Sequence, residues 1–321
     1  MDFELYYQAK RTCVIWLPEL GCLKIEGADH LDLLHRITTN DVRNLQSGNG
    51  QVTLFCSELG RIVARAILLR FDSYVLLVTE LSMVSELAAW IEKFIFIEEV
   101  RVEDVTASTK GLTLIGPEAA NSVTDRFGGD ISLLCDWQHI HFFHNDAAVF
   151  VVRTVEFDMD GFLILSSKEA IAELQEELDV EGIPNIDKDI YNILRIESGW
   201  PYADIDYSNN YNPHETAMLP YVDFKKGCYI GQEVIARLDT YEKVKNCLVR
   251  ISIDDTKQPD PESIVVFGNE RIGTVTSSAY SPDSEKVLAL ALLRKKAVEI
   301  GKQVTVQSEN NTFTAHIEAE L

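Results

Sequence analysis

Downstream of Asp239 the chain changes character, and that change constrains the fold more than any other feature. Val249, Ile251 and Ile253 alternate with polar residues, and 264–267, 272–276, 287–293, 304–306 and 313–317 are apolar runs of strand length. Gly, Pro, Asn and Asp separate them, the pattern of consecutive short strands. Pro259-Asp260-Pro261 and Ser281-Pro282-Asp283 supply turn residues with fixed or locally bonded backbones. The spacing predicts an all-β barrel or sandwich of about eighty residues, a normal size for one domain. The boundary is expected near residue 245, dividing the chain into 1–244 and 245–321.

Upstream, two segments share a layout. Phe71-Asp72-Ser73-Tyr74 leads into an apolar strand at 75–78 and then a helix from Ser82, with Met83, Leu87, Trp90, Ile91 and Phe94 at helical spacing. Phe157-Asp158 leads into a strand at 162–165 and a helix opened by Ser166 and Glu169 as a capping box, with Ile171, Leu174 and Leu178 inward. A strand followed by a serine-capped helix, twice, is the pattern of a duplicated α+β unit or of a common motif recurring. Further strands are expected at 52–56, 62–69, 112–115 and 148–155, with a short helix over 29–37.

At 321 residues, 46% hydrophobic and 25% charged, the chain can bury a large core and is not globally disordered. Its apolar runs are too short for a membrane-spanning helix. Met1-Asp2-Phe3-Glu4 lacks the basic start of a secretory signal, which makes a cytoplasmic address the expectation. A net charge of −22 repels polyanions and argues against duplex nucleic acid as a direct partner. Between residues 225 and 250, however, six basic side chains stand against three acidic ones. Such an island suits a small anion, an anionic segment of a partner, or simply a solvated loop. The six cysteines form no Cys-x-x-Cys pair, so no metal site is expected. Cys13, Cys22, Cys56, Cys135 and Cys247 are expected to be buried and inert.

Asp187 can cap a helix whose inward face holds Ile190, Ile193, Leu194 and, on the same stripe, Glu197, before Gly199 and Pro201 end it. A carboxylate there needs a partner, either a ligand with N–H donors or a group at the helix end. Between Trp200 and Phe224 runs a long polar and aromatic stretch containing Tyr202, Asp204, Asp206, Tyr207, Tyr211, Asn212, His214 and Glu215. Loops of that length are functional or disordered. Trp200 and the tyrosines can stack on a flat heterocycle or pack the loop onto the body.

Lys226-Gly227-Cys228-Tyr229-Ile230-Gly231-Gln232-Glu233 places a thiol between glycines and behind a Lys225-Lys226 pair. Nearby ammonium groups favour the thiolate, the reactive form. Cys228 is therefore the expected functional thiol, with Lys226 as its activator.

These residues, with Ala236-Arg237, resemble the signature of the YgfZ family, folate-binding relatives of the glycine-cleavage T-protein. Arg195-Ile196-Glu197-Ser198-Gly199, Thr38-Thr39-Asn40-Asp41-Val42 and Gly60-Arg61 are similar to other elements of that superfamily. The resemblance implies a three-lobed, clover-like T-protein-type α+β fold, with two related α+β lobes and a C-terminal β-barrel. It implies tetrahydrofolate, or a derivative, as ligand, with Glu197 on the folate ring. Asn40, Asp41, Trp200, Tyr229, Gln232 and Arg237 are the further cofactor-binding candidates. It implies a role in assembling or repairing iron–sulfur clusters, including those of tRNA-modifying enzymes, with cluster client or assembly proteins as partners. Where T-proteins carry Gly-x-Ile-x-Asp-Asp, however, this chain has Gly60-Arg61-Ile62-Val63-Ala64-Arg65. Without those carboxylates, classical aminomethyl transfer is not expected. The competing reading is a tetrahydrofolate-dependent aminomethyl- or methyl-transferase or demethylase acting on a small amine or thioether. Its carboxylate would then come from Asp41, Asp204 or Asp206.

Overall fold

The computed structural model describes residues 3–129, 131–241, 243–309 and 311–321. The chain divides into two compact units. The first comprises Met1–Cys56, Val63–Asp187 and Asp223–Ile230; the second comprises Ser57–Ile62, Lys188–Val222 and Gly231–Leu321.

In chain order the elements up to residue 187 are α1 (Glu4–Arg11), β1 (Val14–Trp16), β2 (Leu20–Glu26), α2 (His30–Ile37), β3 (Gly50–Cys56), β4 (Ile62–Arg70), β5 (Tyr74–Glu80), α3 (Val84–Glu92), β6 (Arg101–Asp104), β7 (Lys110–Ile115), α4 (Ala119–Phe127), β8 (His139–His144), β9 (Ala147–Glu156), β10 (Met159–Ser166) and α5 (Lys168–Val180). They form two five-stranded sheets, ordered β3-β4-β5-β2-β6 and β1-β7-β10-β9-β8. One face of each sheet meets the other, through Cys22, Leu69, Leu76 and Val78 on one side and Val152, Leu163 and Leu165 on the other. The opposite face of the second sheet, with Phe162 and Ile164, is covered by Val123 of α4 and by Ile171, Leu174 and Leu178 of α5. Both faces of β10 are thus buried, which is why 162–165 reads as a continuous apolar run instead of an alternating one.

Three local expectations shift. Ser167, not Ser166, caps α5, accepting from the Ala170 N–H at 3.2 Å. Ser166 is still paired in the sheet, and its hydroxyl donates to the Ala148 carbonyl at 2.7 Å. The helix expected from Ser82 begins at Val84, after a 3-10 turn over Leu81–Met83. The helix expected from Asp29 begins at His30, and the Asp29 carboxylate accepts from the Glu99 N–H at 2.8 Å.

The second unit carries α6 (Lys188–Ser198), α7 (Gln232–Thr240) and the strands β11 (Asn246–Ile253), β12 (Ile264–Phe267), β13 (Glu270–Ser281), β14 (Lys286–Arg294), β15 (Gln303–Gln307) and β16 (Thr312–Glu320). The strands close into a barrel in the order β11-β14-β13-β12-β15-β16. Its interior is filled by alternate residues such as Val287, Ala289, Ala291 and Leu293, while Leu288, Leu290 and Leu292 are buried on the other face of the same strand. α6 packs against β13 and β14. The expectation of two α+β lobes followed by an all-β barrel is met. Among the described residues, no helix is long and apolar enough to cross a membrane.

Burial holds His35, His139 and His214 below the ordinary histidine value of 6.5. His139 donates from Nε2 to the Arg70 carbonyl at 3.0 Å and packs on Phe71, its centroid 4.4 Å away. Below the ordinary value the unfolded chain binds more protons than the folded one, so stability falls on acidification. The depressed carboxyls Asp32 and Asp41 add their losses only at lower pH. The urea midpoint should therefore drop between pH 7.5 and 5.5. His139→Gln, which keeps a donor but cannot titrate, should flatten that drop.

Candidate functional site

The predicted site residues fall into two groups, one in each unit. In the first, the 223–230 segment is tied to the end of α2 and the strand-like stretch that follows it. Asp223 N–H donates to the Thr39 carbonyl at 3.0 Å and Ile230 N–H to the Arg36 carbonyl at 3.2 Å. The Asp223 carboxylate accepts from the Lys225 and Lys226 N–H groups at 2.7 and 3.2 Å. Lys226 points inward, 7% exposed. Its ammonium donates to the carbonyls of His35, Thr38 and Asn40 at 2.6, 2.6 and 2.7 Å.

That geometry gives Lys226 a structural role beside the expected one. All three ammonium protons go to backbone carbonyls, so the residue anchors the turn from beneath and has no proton left for the thiol. Burial pushes the Lys226 ammonium down to about 8, against the pull of Asp41 and Asp223. The ammonium also lies over the Tyr229 ring, 5.1 Å from its centroid. Tyr229 is buried, and burial raises its phenol, with Cys56 and Asp223 adding to the effect. Cys228, between these two buried neighbours, is exposed. A reactive cysteine needs that access. Cys13, Cys22, Cys56 and Cys247 are buried as expected, but Cys135 is exposed. It lies in a turn, where its N–H donates to the Gln138 side chain.

Asn40 and Asp41 belong to the same group. The Asn40 side-chain amide donates to the Val52 carbonyl at 2.7 Å, and its own carbonyl receives Lys226. Asp41 accepts from the Asn44 side chain at 2.6 Å and stands 3.2 Å from His35 Nδ1. On β4, Ala64 is fully buried, and Arg65 pairs with Glu80 at 2.7 Å, both side chains about an eighth exposed. At the two positions where the resemblance leads one to look for an Asp-Asp pair, β4 thus offers an apolar methyl and a neutralised cation.

The second group begins with Glu197, near the end of α6. Its carboxylate is half-buried and accepts from the Ser281 hydroxyl at 2.6 Å. Neither partner expected from the sequence, ligand or helix-end group, includes this barrel hydroxyl. The barrel also holds the Glu197 backbone, whose carbonyl accepts from Arg250. A carboxylate offers about four lone-pair positions and no donor, so a ring with N–H groups matches it chemically. On that criterion Glu197 fits a folate. Gly199 ends α6 at φ +77. Trp200 follows, half-buried, with its N–H on the Arg195 carbonyl at 2.7 Å. Gln232 opens α7 half-buried, and Arg237 is exposed on the same helix.

Gly231 just before α7 adopts φ +83, and a Cβ there would lie 2.5 Å from the Ser57 carbonyl oxygen. Only glycine fits that turn. Gly227 is under no such demand: a Cβ would meet nothing closer than His35 Nε2 at 3.6 Å.

Sequence reasoning named Asp206 and Glu215 but not their role in ordering the 200–222 loop. Asp206, fully buried, takes Arg195 Nη1 at 2.7 Å and the Tyr202 N–H at 3.0 Å on one oxygen. The Thr276 and Ser277 hydroxyls donate to the other at 2.5 and 2.7 Å. Glu215, also buried, accepts from Arg61, Asn212 and Asn246. Asp206 is therefore saturated and unavailable as a catalytic base, which corrects its place among the substitute carboxylates. Among the described residues, no group of three or more His, Cys, Asp and Glu side chains could hold a metal ion.

Comparison with known proteins places this geometry. Residues 9–226 match the GCVT N-terminal domain, and residues 246–320 match the glycine cleavage T-protein C-terminal barrel domain. A chloroplastic protein of Arabidopsis thaliana named "Putative transferase" is 26% identical over 95% of this chain and 70% of its own length. An aminomethyltransferase of Thermoanaerobacter sp. (strain X514) is 25% identical over 94% of this chain and 83% of its own. The crystal structure of glycine cleavage system aminomethyltransferase T from Bartonella henselae superposes with a TM-score of 0.89 at 18% identity, over 99% of this chain and 88% of that one. That likeness establishes the fold. The chain belongs to the glycine cleavage T-protein family, whose aminomethyltransferases use tetrahydrofolate.

Proposed function

We propose that this chain binds a reduced folate and works through the Cys228 thiol, as a YgfZ-type member of the family that supports assembly or repair of iron–sulfur clusters, including those of tRNA-modifying enzymes. The observation that carries the reading is the exposed thiol on a turn fastened from below by Lys226, in a chain whose β4 lacks the transfer carboxylates. Glu197, oriented by Ser281, is the residue to receive the N–H edge of the folate ring, with Trp200, Gln232 and Arg237 as the further candidates of the same unit. The cluster clients are iron–sulfur proteins of the cytoplasm.

The relatives' names favour a second reading more directly: a tetrahydrofolate-dependent aminomethyl- or methyl-transferase. With Asp206 saturated, Asp41 and Asp204 are the acids left to it from the sequence reading.

Two measurements separate them. Calorimetric titration with tetrahydrofolate should show saturable binding whose affinity Glu197→Gln lowers about tenfold or more, the loss expected when a charge-assisted hydrogen bond is weakened. Cells lacking the protein should regain activity of a folate-linked cluster enzyme with the wild type and not with Cys228→Ala. Full rescue by Cys228→Ala, together with product formation from tetrahydrofolate and a small amine or thioether donor, would transfer the conclusion to the transferase reading. No heat with tetrahydrofolate would remove both.

A further inference from the structure

The second unit contains a cavity of about 710 Å³ that none of the residues assigned above enters. Leu219, Leu238, Val244 and Leu321 give it an apolar wall, and His214, Asp239 and Lys296 are among its polar lining. Its size is that of a small-molecule pocket. The His214 side chain is 4% exposed, yet neither Nδ1 nor Nε2 has a hydrogen-bond partner among the described residues. Asp239 Oδ1 stands 3.7 Å from Nε2, beyond hydrogen-bond reach. Buried polar atoms are ordinarily satisfied, so two orphaned nitrogens on one ring lining a cavity call for an occupant. Burial holds His214 below its ordinary value against the pull of Asp239, which keeps the ring neutral near pH 7. A neutral imidazole presents one donor and one acceptor. At the rim, Lys295 is paired with Glu320 at 2.8 Å, whereas Lys296 is exposed and makes no ion pair among the described residues.

We propose that this cavity is a second ligand site, distinct in its residues from the folate and thiol groups, which takes a small aliphatic carboxylate bearing an amide or hydroxyl donor. The aliphatic body lies on the leucine and valine wall. The carboxylate accepts from Lys296 and from the donor nitrogen of His214, and the ligand's N–H or O–H donates to the other ring nitrogen. A fully apolar ligand would leave both nitrogens unmet, and a polyanion would meet Asp239 and Glu320.

N-acetyl-L-leucine carries all three features and serves as the probe. Titrated into the full chain labelled with 15N-histidine, it should shift both ring nitrogens of one histidine saturably, and His214→Phe should abolish that signal. N-acetyl-L-leucinamide, which lacks the charge, should bind about tenfold more weakly, and Lys296→Glu should weaken N-acetyl-L-leucine by about the same factor. Tetrahydrofolate affinity should not change in Lys296→Glu, which keeps this test separate from the folate reading. Absence of a saturable shift in the wild type, or equal affinity for acid and amide, overturns the proposal. Should His214→Phe fail to fold, unchanged affinity in Lys296→Glu, an exposed position, overturns it alone.

Discussion

Asp206→Ala should cost about 3–5 kcal/mol of folding stability, the loss typical when one partner of a buried ion pair is removed. Asp206 is fully buried and Arg195 is 1% exposed, so the guanidinium left behind could not be reached by water without opening the structure. Two other donors, the Tyr202 N–H and the Ser277 hydroxyl, lose this acceptor at the same time, and the Thr276 hydroxyl keeps only the Leu290 carbonyl. Because these donors come from the 200–222 loop and from β13, the loop should loosen from the barrel strand as well. Urea denaturation followed by far-ultraviolet circular dichroism gives the energy, and amide exchange at 200–207 gives the location. Replacing both charges, as Arg195→Met with Asp206→Leu, should cost less than Asp206→Ala alone, since no charge is then stranded. A loss below about 1 kcal/mol for Asp206→Ala would put the pair among solvent-screened contacts and refute the hub.

How far the sequence could lead depended on the range of the interaction. The barrel was legible because its strands alternate locally and its turns use Pro, Asp and Gly. β10 and β14 also revealed their burial, since apolar side chains on both faces erase the alternation. Cap positions slipped by a residue at α5 because Ser166 and Ser167 are equally good caps, and only the pairing of Ser166 with Lys110 decides between them. The thiol turn is legible from its composition, but the anchoring contacts of Lys226 are not. An ammonium beside a cysteine in sequence suggests an activated thiol; its acceptors lie about 190 residues upstream, at His35, Thr38 and Asn40, and leave no local trace. Asp206 and Glu215 were hidden in the same way. Each looked like an ordinary polar loop residue, and each is saturated by donors from distant strands or turns. Long-range satisfaction of a buried charge is the kind of information that periodicity cannot carry.

The two roles open to Lys226 predict opposite results in one experiment. Lys226→Met keeps the length and apolar stem of the side chain but leaves the carbonyls of His35, Thr38 and Asn40 without their donors. Hydrogen bonds to a charged group contribute about 1.5–3 kcal/mol each, offset in part by the desolvation that methionine avoids. A net loss of about 2–4 kcal/mol should follow. The 223–230 segment should become mobile, since Asp223 and Ile230 then hold it by two backbone bonds to Thr39 and Arg36. Cys228 is already exposed, so freeing the turn should leave its alkylation by iodoacetamide as fast as before or faster. An activating lysine would give the reverse: slower alkylation after substitution, and stability almost unchanged. Measuring midpoint and alkylation rate on the same variant therefore decides whether Lys226 serves the fold of the turn or the chemistry of its sulfur, and slowed alkylation at full stability would return it to the catalytic role.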